Sequence, residues 1–489
     1  MNSSRLTRSL PRLQDIFFIA LFAAILLLGS RMLNLDGDLP RHLLFGKYIL
    51  ENRVVPNTEP FIYPYEGRHY VSHEWLVQVI YYLVYSAVGL KGLVLLAAIL
   101  LSTAFYVSYS YLVKRFSLRL PILFLVGWGV AITSLNWAIR PHLFSMFLLA
   151  IWLVWADEVR RGEKTSIWQF PVLMVLWSNL HGVFIAGVLV LFAFAAGWLV
   201  DLIFDPQHTD KAIGKRLWLA LLLSIPASIL NPGGAGSWSS ILGFVNNQYL
   251  MSRMLEANAP DFQLPEMRIL LVFIVFSIFL LAFKRERLSA GQGFLLAGFT
   301  AMSLMAFRNI HLYGIVAPFV LAETLTETRD LKLINRLEST LARVEEKITG
   351  FLWPAATTIL LGILVLSSPI AAVLYRFEAE TFPVHAVEWL RSNPQEGHLF
   401  NDLNWGGYLE LNLYPQQKTF VDSIADVTGE VTMDYEIILT MSEGWEELLR
   451  SYDITWAVVE TDTPLATTLI QKYNWQVLYE DETAVILKK

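Results

Sequence analysis

Two aspartates one residue apart, Asp36 and Asp38 in "NLDGDLPRH", follow an apolar run that begins at Ile16. His42 lies four residues on, and "SHEWL" then supplies His73 and Glu74. Four later segments carry similar side chains. "NWAIRPH" holds Asn136, Arg140 and His142, and "WSNLHG" holds Asn179 and His181. "EANAPDF" holds Glu256 and Asp261, and "RNIH" holds Arg308, Asn309 and His311. A carboxylate can take a proton from a hydroxyl or ligate a divalent cation through oxygen. The planar arginine fork suits phosphate. Histidine and asparagine can bind sugar hydroxyls or phosphate oxygens. Singly, each has an ordinary alternative: a His or Asn capping a helix end, or an Arg reaching for head groups.

These groups need a frame, and composition names its class. Of 489 residues, 55% are hydrophobic and 16% charged, against roughly 25% charged in ordinary soluble proteins. Apolar stretches fall near 16–33, 91–113, 120–138, 143–157, 168–179, 183–204, 217–231, 268–283, 290–306, 311–323 and 350–375. About eleven such segments make a polytopic transmembrane helix bundle, mainly α. The first, behind Arg5, Arg8 and Arg12, reads as an uncleaved signal-anchor. Without cysteine, thiolate metal sites and thiol nucleophiles are excluded. The net charge of -6 includes no strong basic run, which argues against nucleic acid as a partner.

Loop charge sets the expected topology. If "HEWLVQVIYYLVYSAVG" lies at the interface without crossing, the basic groups fall on one side. These are Arg5/Arg8/Arg12, Lys114/Arg115/Arg119, Arg160/Arg161/Lys164, Lys211/Lys215/Arg216, Lys284/Arg285/Arg287 and Arg329 to Lys347. The short turns opposite hold Arg140, no base, and Arg308. The N-terminus is therefore expected inside, and each turn with His, Asn or Arg outside, meeting in one cavity at the outer surface of a cytoplasmic membrane. Residues 1–375 form the membrane domain, with 34–73 as the first outer loop. Residues 376–489 form an external α/β domain. There "HLFNDL", "GYLELNLY", "KTFVDS", "TWAVVE", "WQVLYE" and "TAVILKK" read as strands, and "PVHAVEWLRSN" and "EGWEELLRSY" as helices. Gly406 and Gly407 of "NWGGYL" are expected to make a tight turn before a strand, and Asp422 and Asp426 to stand at a strand end, open to an acceptor.

The stretch "DGDLPRHLLFGKYILENRVVPNTEPFIYPYEGRHYVSHEWLVQVIYYL" resembles the first outer loop of bacterial GT-C type glycosyltransferase-like membrane proteins. The likeness continues through "RPHLFS", "WSNLHGVF", "NPGG", "APDF" and "RNIHLYG" to "NWGGYL" and "FVD", covering most of the chain. It implies a GT-C fold, a polyprenyl-phosphate sugar donor, and a catalytic acid in the first outer loop: Asp36 or Asp38. By its own chemistry Glu74 would orient that base or help hold a metal. His42, His73, Arg140, His142, Asn179, His181, Asp261, Arg308, Asn309 and His311 then form the substrate-binding set. Asp36, Asp38 and Glu74 also offer oxygens enough for a divalent cation (Mg or Mn), although paired acids and arginines could work without one. The acceptor would be a glycan, lipid or protein. The rival readings are a transporter or flippase for a lipid-linked or anionic solute, and a non-catalytic subunit of a glycan assembly system. Acids gathered at one surface and the absence of an apparent repeat favour the enzyme.

Overall fold

The computed structural model describes residues 9–283, 288–348, 352–423 and 429–489. Arg5, Arg8, Lys284, Arg285, Arg287, Gly350 and Asp426 lie outside them, as does the side chain of Arg329.

Each expected apolar segment contains helix, because buried or lipid-facing backbone must satisfy its own N–H and C=O groups. The chain begins with α1 (Leu13–Leu27) and α2 (Gly29–Leu33), then α3 (Asp38–Asn52) and α4 (Trp75–Val88). A long α5 (Leu90–Phe116) leads to α6 (Arg119–Thr133), α7 (His142–Arg160), α8 (Gln169–Leu180), α9 (Ile185–Phe204) and α10 (Lys211–Ala227). Short helices α11 (Gly236–Asn246) and α12 (Gln248–Arg253) precede α13 (Arg268–Phe283), α14 (Ala290–Met305) and α15 (Ile310–Leu321). The amphipathic α16 (Lys332–Glu345) is followed by α17 (Trp353–Ser367) and α18 (Pro369–Leu374). Among the described residues, five helices are long and apolar enough to cross a membrane, and four shorter ones are apolar. The chain is a multi-pass membrane protein.

One crossing inside the bundle matters for the site. A Cβ on Gly129 of α6 would stand 2.2 Å from the carbonyl oxygen of Gly314 in α15, and one on Gly314 would stand 2.9 Å from that of Gly129. Only small residues permit so close an approach. It draws together the turn after α6, which carries Arg140, and the start of α15, which carries His311.

Residues 384–488 hold α19 (Val384–Ser392), β1 (His398–Asn401), α20 (Gly406–Leu413), α21 (Glu430–Leu439), α22 (Trp445–Ser451), β2 (Ile454–Glu460), α23 (Pro464–Gln471), β3 (Gln476–Glu480) and β4 (Ala484–Lys488). The sheet runs β1-β2-β4-β3, with the first pair parallel and the others antiparallel. Four of the expected strands and both expected helices are present. "GYLELNLY" is helical instead, and "KTFVDS" is extended but outside this sheet, touching Ile62 through a bridge at Thr419.

The glycines of "NWGGYL" accordingly do not turn into a strand; they open α20. A Cβ on Gly407 would stand 2.9 Å from Cβ of Arg41 and 3.0 Å from the carbonyl oxygen of Gly37, while one on Gly37 would stand 2.1 Å from that of Asn404. Missing side chains on both partners let α20 press against the start of α3. Ile62 and Tyr65 then pack with Phe400, Phe420 and Val421 in one core, so the first loop and the C-terminal domain share buried surface.

Candidate active site

The path into the site begins at the acid pair. Asp36 Oδ1 accepts the backbone N–H of Asp38 at 3.0 Å, an Asx-type turn that feeds α3, with Pro40 in its first turn. Both carboxylates face Arg140. Its Nε meets Asp36 Oδ2, its Nη2 meets Asp38 Oδ2, and its Nη1 meets Glu256 Oε2, each at 2.8 Å. Arg308 Nη2 reaches the other oxygen of Glu256 at 3.3 Å. The second oxygen of Asp38, Oδ1, accepts the hydroxyl of Ser423 at 2.5 Å, so the C-terminal domain touches the acid pair directly.

Burial dominates the charge balance. It pushes the Asp38 carboxyl up to about 7; Asp36 adds to the rise and Arg140 offsets part of it. Glu74 is likewise pushed up to about 7 by burial, against the pull of Arg140. Both therefore exchange protons near neutral pH, as a general acid or base requires.

A second group adjoins the first. Glu74 faces three imidazoles: His181 Nε2 at 3.5 Å, and His42 Nδ1 and His73 Nε2 at 3.9 Å each. Ser145 Oγ accepts the indole N–H of Trp177 at 2.8 Å and lies 2.8 Å from His181 Nδ1. With the hydroxyl proton donated to Nδ1, the N–H of Nε2 faces Glu74. Burial lowers His42 to about 3, holds His181 well below its usual value and lowers His73 too. These rings are neutral at pH 7 and act as hydrogen-bonding groups, not as cations. The positive charge comes from the arginines. Tyr81 ties the two groups, donating its hydroxyl to the carbonyl of Arg140 at 2.8 Å.

Most of the residues singled out from sequence converge here. Asp36, Asp38, Arg140 and Arg308 share the ionic cluster, and His42, His73 and His181 surround Glu74. His142 and His311 pack ring against ring, with centroids 5.1 Å apart. Three residues have other partners. Asn179 accepts the indole N–H of Trp75 and donates to the carbonyls of Val175 and Leu230, which positions the start of α4 beside Glu74. Asn309 donates to the carbonyl of Met302 at the end of α14. Asp261 is exposed and accepts Gln263 N–H, making no described contact with the Arg140 cluster. Glu256, five residues earlier, fills that place. The signal separating the two acids is the backbone bond from Phe307 to the carbonyl of Asn258, which joins the Glu256 loop to the Arg308 turn. Ser423 has no local signal.

Arg41 and Asp422 form a different centre. Arg41 is fully buried, with Glu59 at 2.7 Å, Glu410 at 2.8 Å and Asp422 at 2.9 Å. Its guanidinium also lies over the rings of Phe45 and Phe61. Burial pushes Glu410 up to about 8 despite Arg41. Asp422, expected to stand open to an acceptor, is instead buried in this joint between α3, the first loop and α20.

The donors expected to hold a divalent ion do not converge. The aspartates turn onto Arg140 while Glu74 faces imidazoles.

No protein-family model and no curated protein sequence matches the chain. Solved structures do. Oligosaccharyltransferase AglB from Archaeoglobus fulgidus, in complex with an inhibitory peptide and a dolichol-phosphate, superposes with a TM-score of 0.60 at 12% identity, covering 91% of this chain and 69% of that one. ArnT from Cupriavidus metallidurans, bound to undecaprenyl phosphate, superposes with a TM-score of 0.52 at 14% identity, covering 96% and 97%. The architecture is therefore that of the GT-C glycosyltransferases. At this identity the likeness shows fold; what the chain does must be argued from its own site.

Proposed function

We propose that the protein transfers a sugar from a polyprenyl-phosphate donor to an acceptor at the outer face of the cytoplasmic membrane. The observation that carries this is the convergence of Asp36, Asp38, Arg140, Glu256 and Arg308 at one end of a GT-C bundle. The lipid phosphates bound by AglB and ArnT support the donor class. The basic residues at the opposite end support an outward-facing site with the N-terminus inside.

Asp38 is the preferred base. It exchanges its proton near neutrality, and Ser423 orients its carboxylate from the C-terminal domain. Arg140 meets three acids and balances their charge. Arg308 is the better phosphate ligand: it makes one ion pair, to Glu256 at 3.3 Å, where Arg140 makes three at 2.8 Å. In the reaction the acceptor oxygen or nitrogen bonds to the anomeric carbon while the bond from that carbon to phosphate oxygen breaks. The polyprenyl phosphate leaves with the electron pair, facing Arg308, and the acceptor proton passes to Asp38. The sugar passes through an oxocarbenium-like state, and a single displacement inverts the anomeric centre. The neutral histidines around Glu74 would bind sugar hydroxyls.

The test is direct. The purified protein is given a panel of polyprenyl-phosphate sugars, and donor loss and glycosylated product are measured with Asp36→Asn and Asp38→Asn alongside. Full transfer by a folded Asp38→Asn variant would overturn the base assignment. Labelled lipid crossing liposomes with no donor consumed would support a transporter instead.

A further inference from the structure

At the end of α6 away from Arg140, α16 lies across the start of the bundle with its charges sorted. Glu338 accepts the backbone N–H groups of Arg119 at 2.8 Å and Leu120 at 2.7 Å, capping α6. Glu345 accepts the N–H of Leu13 at 2.8 Å, capping α1, and meets Arg119 Nε at 2.5 Å. Both acids are thus committed to the protein, as helix N-termini favour. At about 100° per residue the other side chains form two further stripes. Lys332, Arg336 and Arg343 make one, exposed and without an ion pair among the described residues. Leu333, Leu337 and Val344 make the other, 70%, 45% and 53% exposed, on a flank between the acids and the bases.

We propose that α16 is a membrane-surface helix that seats its leucine flank in the acyl boundary and its basic stripe among anionic lipid head groups. Such a helix needs an apolar side and a basic side, and each base near an anionic leaflet favours binding by roughly fivefold. α17, next in the chain, also presents apolar side chains: Ile359, Leu360, Ile363 and Leu364 are each at least 60% exposed. A second copy of α16 is a poor occupant. Glu338 and Glu345 are turned inward, so two copies would bring basic stripes together.

The chain has no cysteine, so single nitroxide labels can be placed cleanly. Full-length Leu333→Cys, Leu337→Cys, Val344→Cys and Ser339→Cys are labelled and placed in nanodiscs of phosphatidylcholine, with or without phosphatidylglycerol. Power saturation then compares oxygen with a water-soluble nickel chelate. The expected result is oxygen-rich, nickel-poor labels at 333, 337 and 344, the reverse at 339, and deeper immersion when phosphatidylglycerol is present. Combined Lys332→Gln, Arg336→Gln and Arg343→Gln should abolish that lipid dependence. Nickel accessibility at the three apolar positions equal to that at 339 would overturn the proposal. So would dipolar broadening between labels on two copies, and immersion indifferent to phosphatidylglycerol would overturn its anionic-lipid part.

Discussion

Arg41→Met removes a cation on which three buried carboxylates converge, at 2.7, 2.8 and 2.9 Å. Methionine fills much of the same volume, so the main loss is electrostatic: Glu59, Glu410 and Asp422 are left facing one another. Deleting one partner of a buried ion pair costs about 3–5 kcal/mol. At 1.4 kcal/mol per decade this raises the population with the C-terminal domain undocked by about two to three and a half orders of magnitude. Limited proteolysis in nanodiscs reads that population when opening and closing outpace cleavage. The pH dependence has a definite sign. Glu410 titrates at about 8 against an ordinary 4.5, so the folded state keeps a proton that the unfolded chain has already lost across that interval. Its contribution is complete below about 4.5 and is lost as pH rises to about 8. Wild-type cleavage should therefore quicken from pH 6 to 9. The Arg41→Met deficit should shrink towards pH 5, where protonation relieves the repulsion, and adding Glu410→Gln and Asp422→Asn should recover much of it. Equal cleavage of Arg41→Met and wild type at pH 8 would refute the claim that this centre joins the domains.

Four further outcomes follow from the same geometry. Transfer by the wild type should rise with pH through about 7 as Asp38 loses its proton, and an initial-rate profile flat from pH 5.5 to 8.5 would contradict the base assignment. Ser423→Ala should move that limb while leaving donor binding in place, since it loses the 2.5 Å hydrogen bond to Asp38; an unmoved limb would leave Ser423 without a positioning role. Arg308→Gln should lower kcat/KM for donor about 10²- to 10³-fold, the scale of losing one charged donor at a developing anion, and steady-state kinetics over donor concentration measure it. Gly407→Ala places a methyl 2.9 Å from Arg41 Cβ and 3.0 Å from the Gly37 carbonyl oxygen. It should destabilise the α3–α20 contact by about 1–3 kcal/mol, read as faster proteolysis of the C-terminal domain.

Much of the architecture is legible along the chain because it rests on local chemistry. Long apolar runs must become helices wherever water is absent, and alternating runs such as "TWAVVE" and "TAVILKK" form strands because one face is buried. The turns bearing His, Asn and Arg mark one end of the bundle for a related reason: each closes an apolar run, so helix length carries them to a common depth. Failures occur where distant contacts decide. "GYLELNLY" alternates like a strand, yet its Gly407 is selected by close approach to Gly37 and Arg41, 370 and 366 residues earlier. Arg41 looks from sequence like one more surface charge behind the acid pair, although a lone cation among Leu39, Leu43, Leu44 and Phe45 hints at a buried partner.

From the sequence alone come the membrane class, the C-terminal α/β domain and the set of acids, arginines and histidines from which a site is drawn. These depend on side-chain type and on spacing within one element. The tertiary structure decided which members meet. It placed Glu256 and not Asp261 on Arg140, buried Asp422 against Arg41, turned Asn179 and Asn309 to structural bonds, and brought Ser423 to Asp38 from 385 residues away. An ion pair or hydrogen bond forms only over a few ångströms, and which groups come that close is set by packing between helices far apart in the chain.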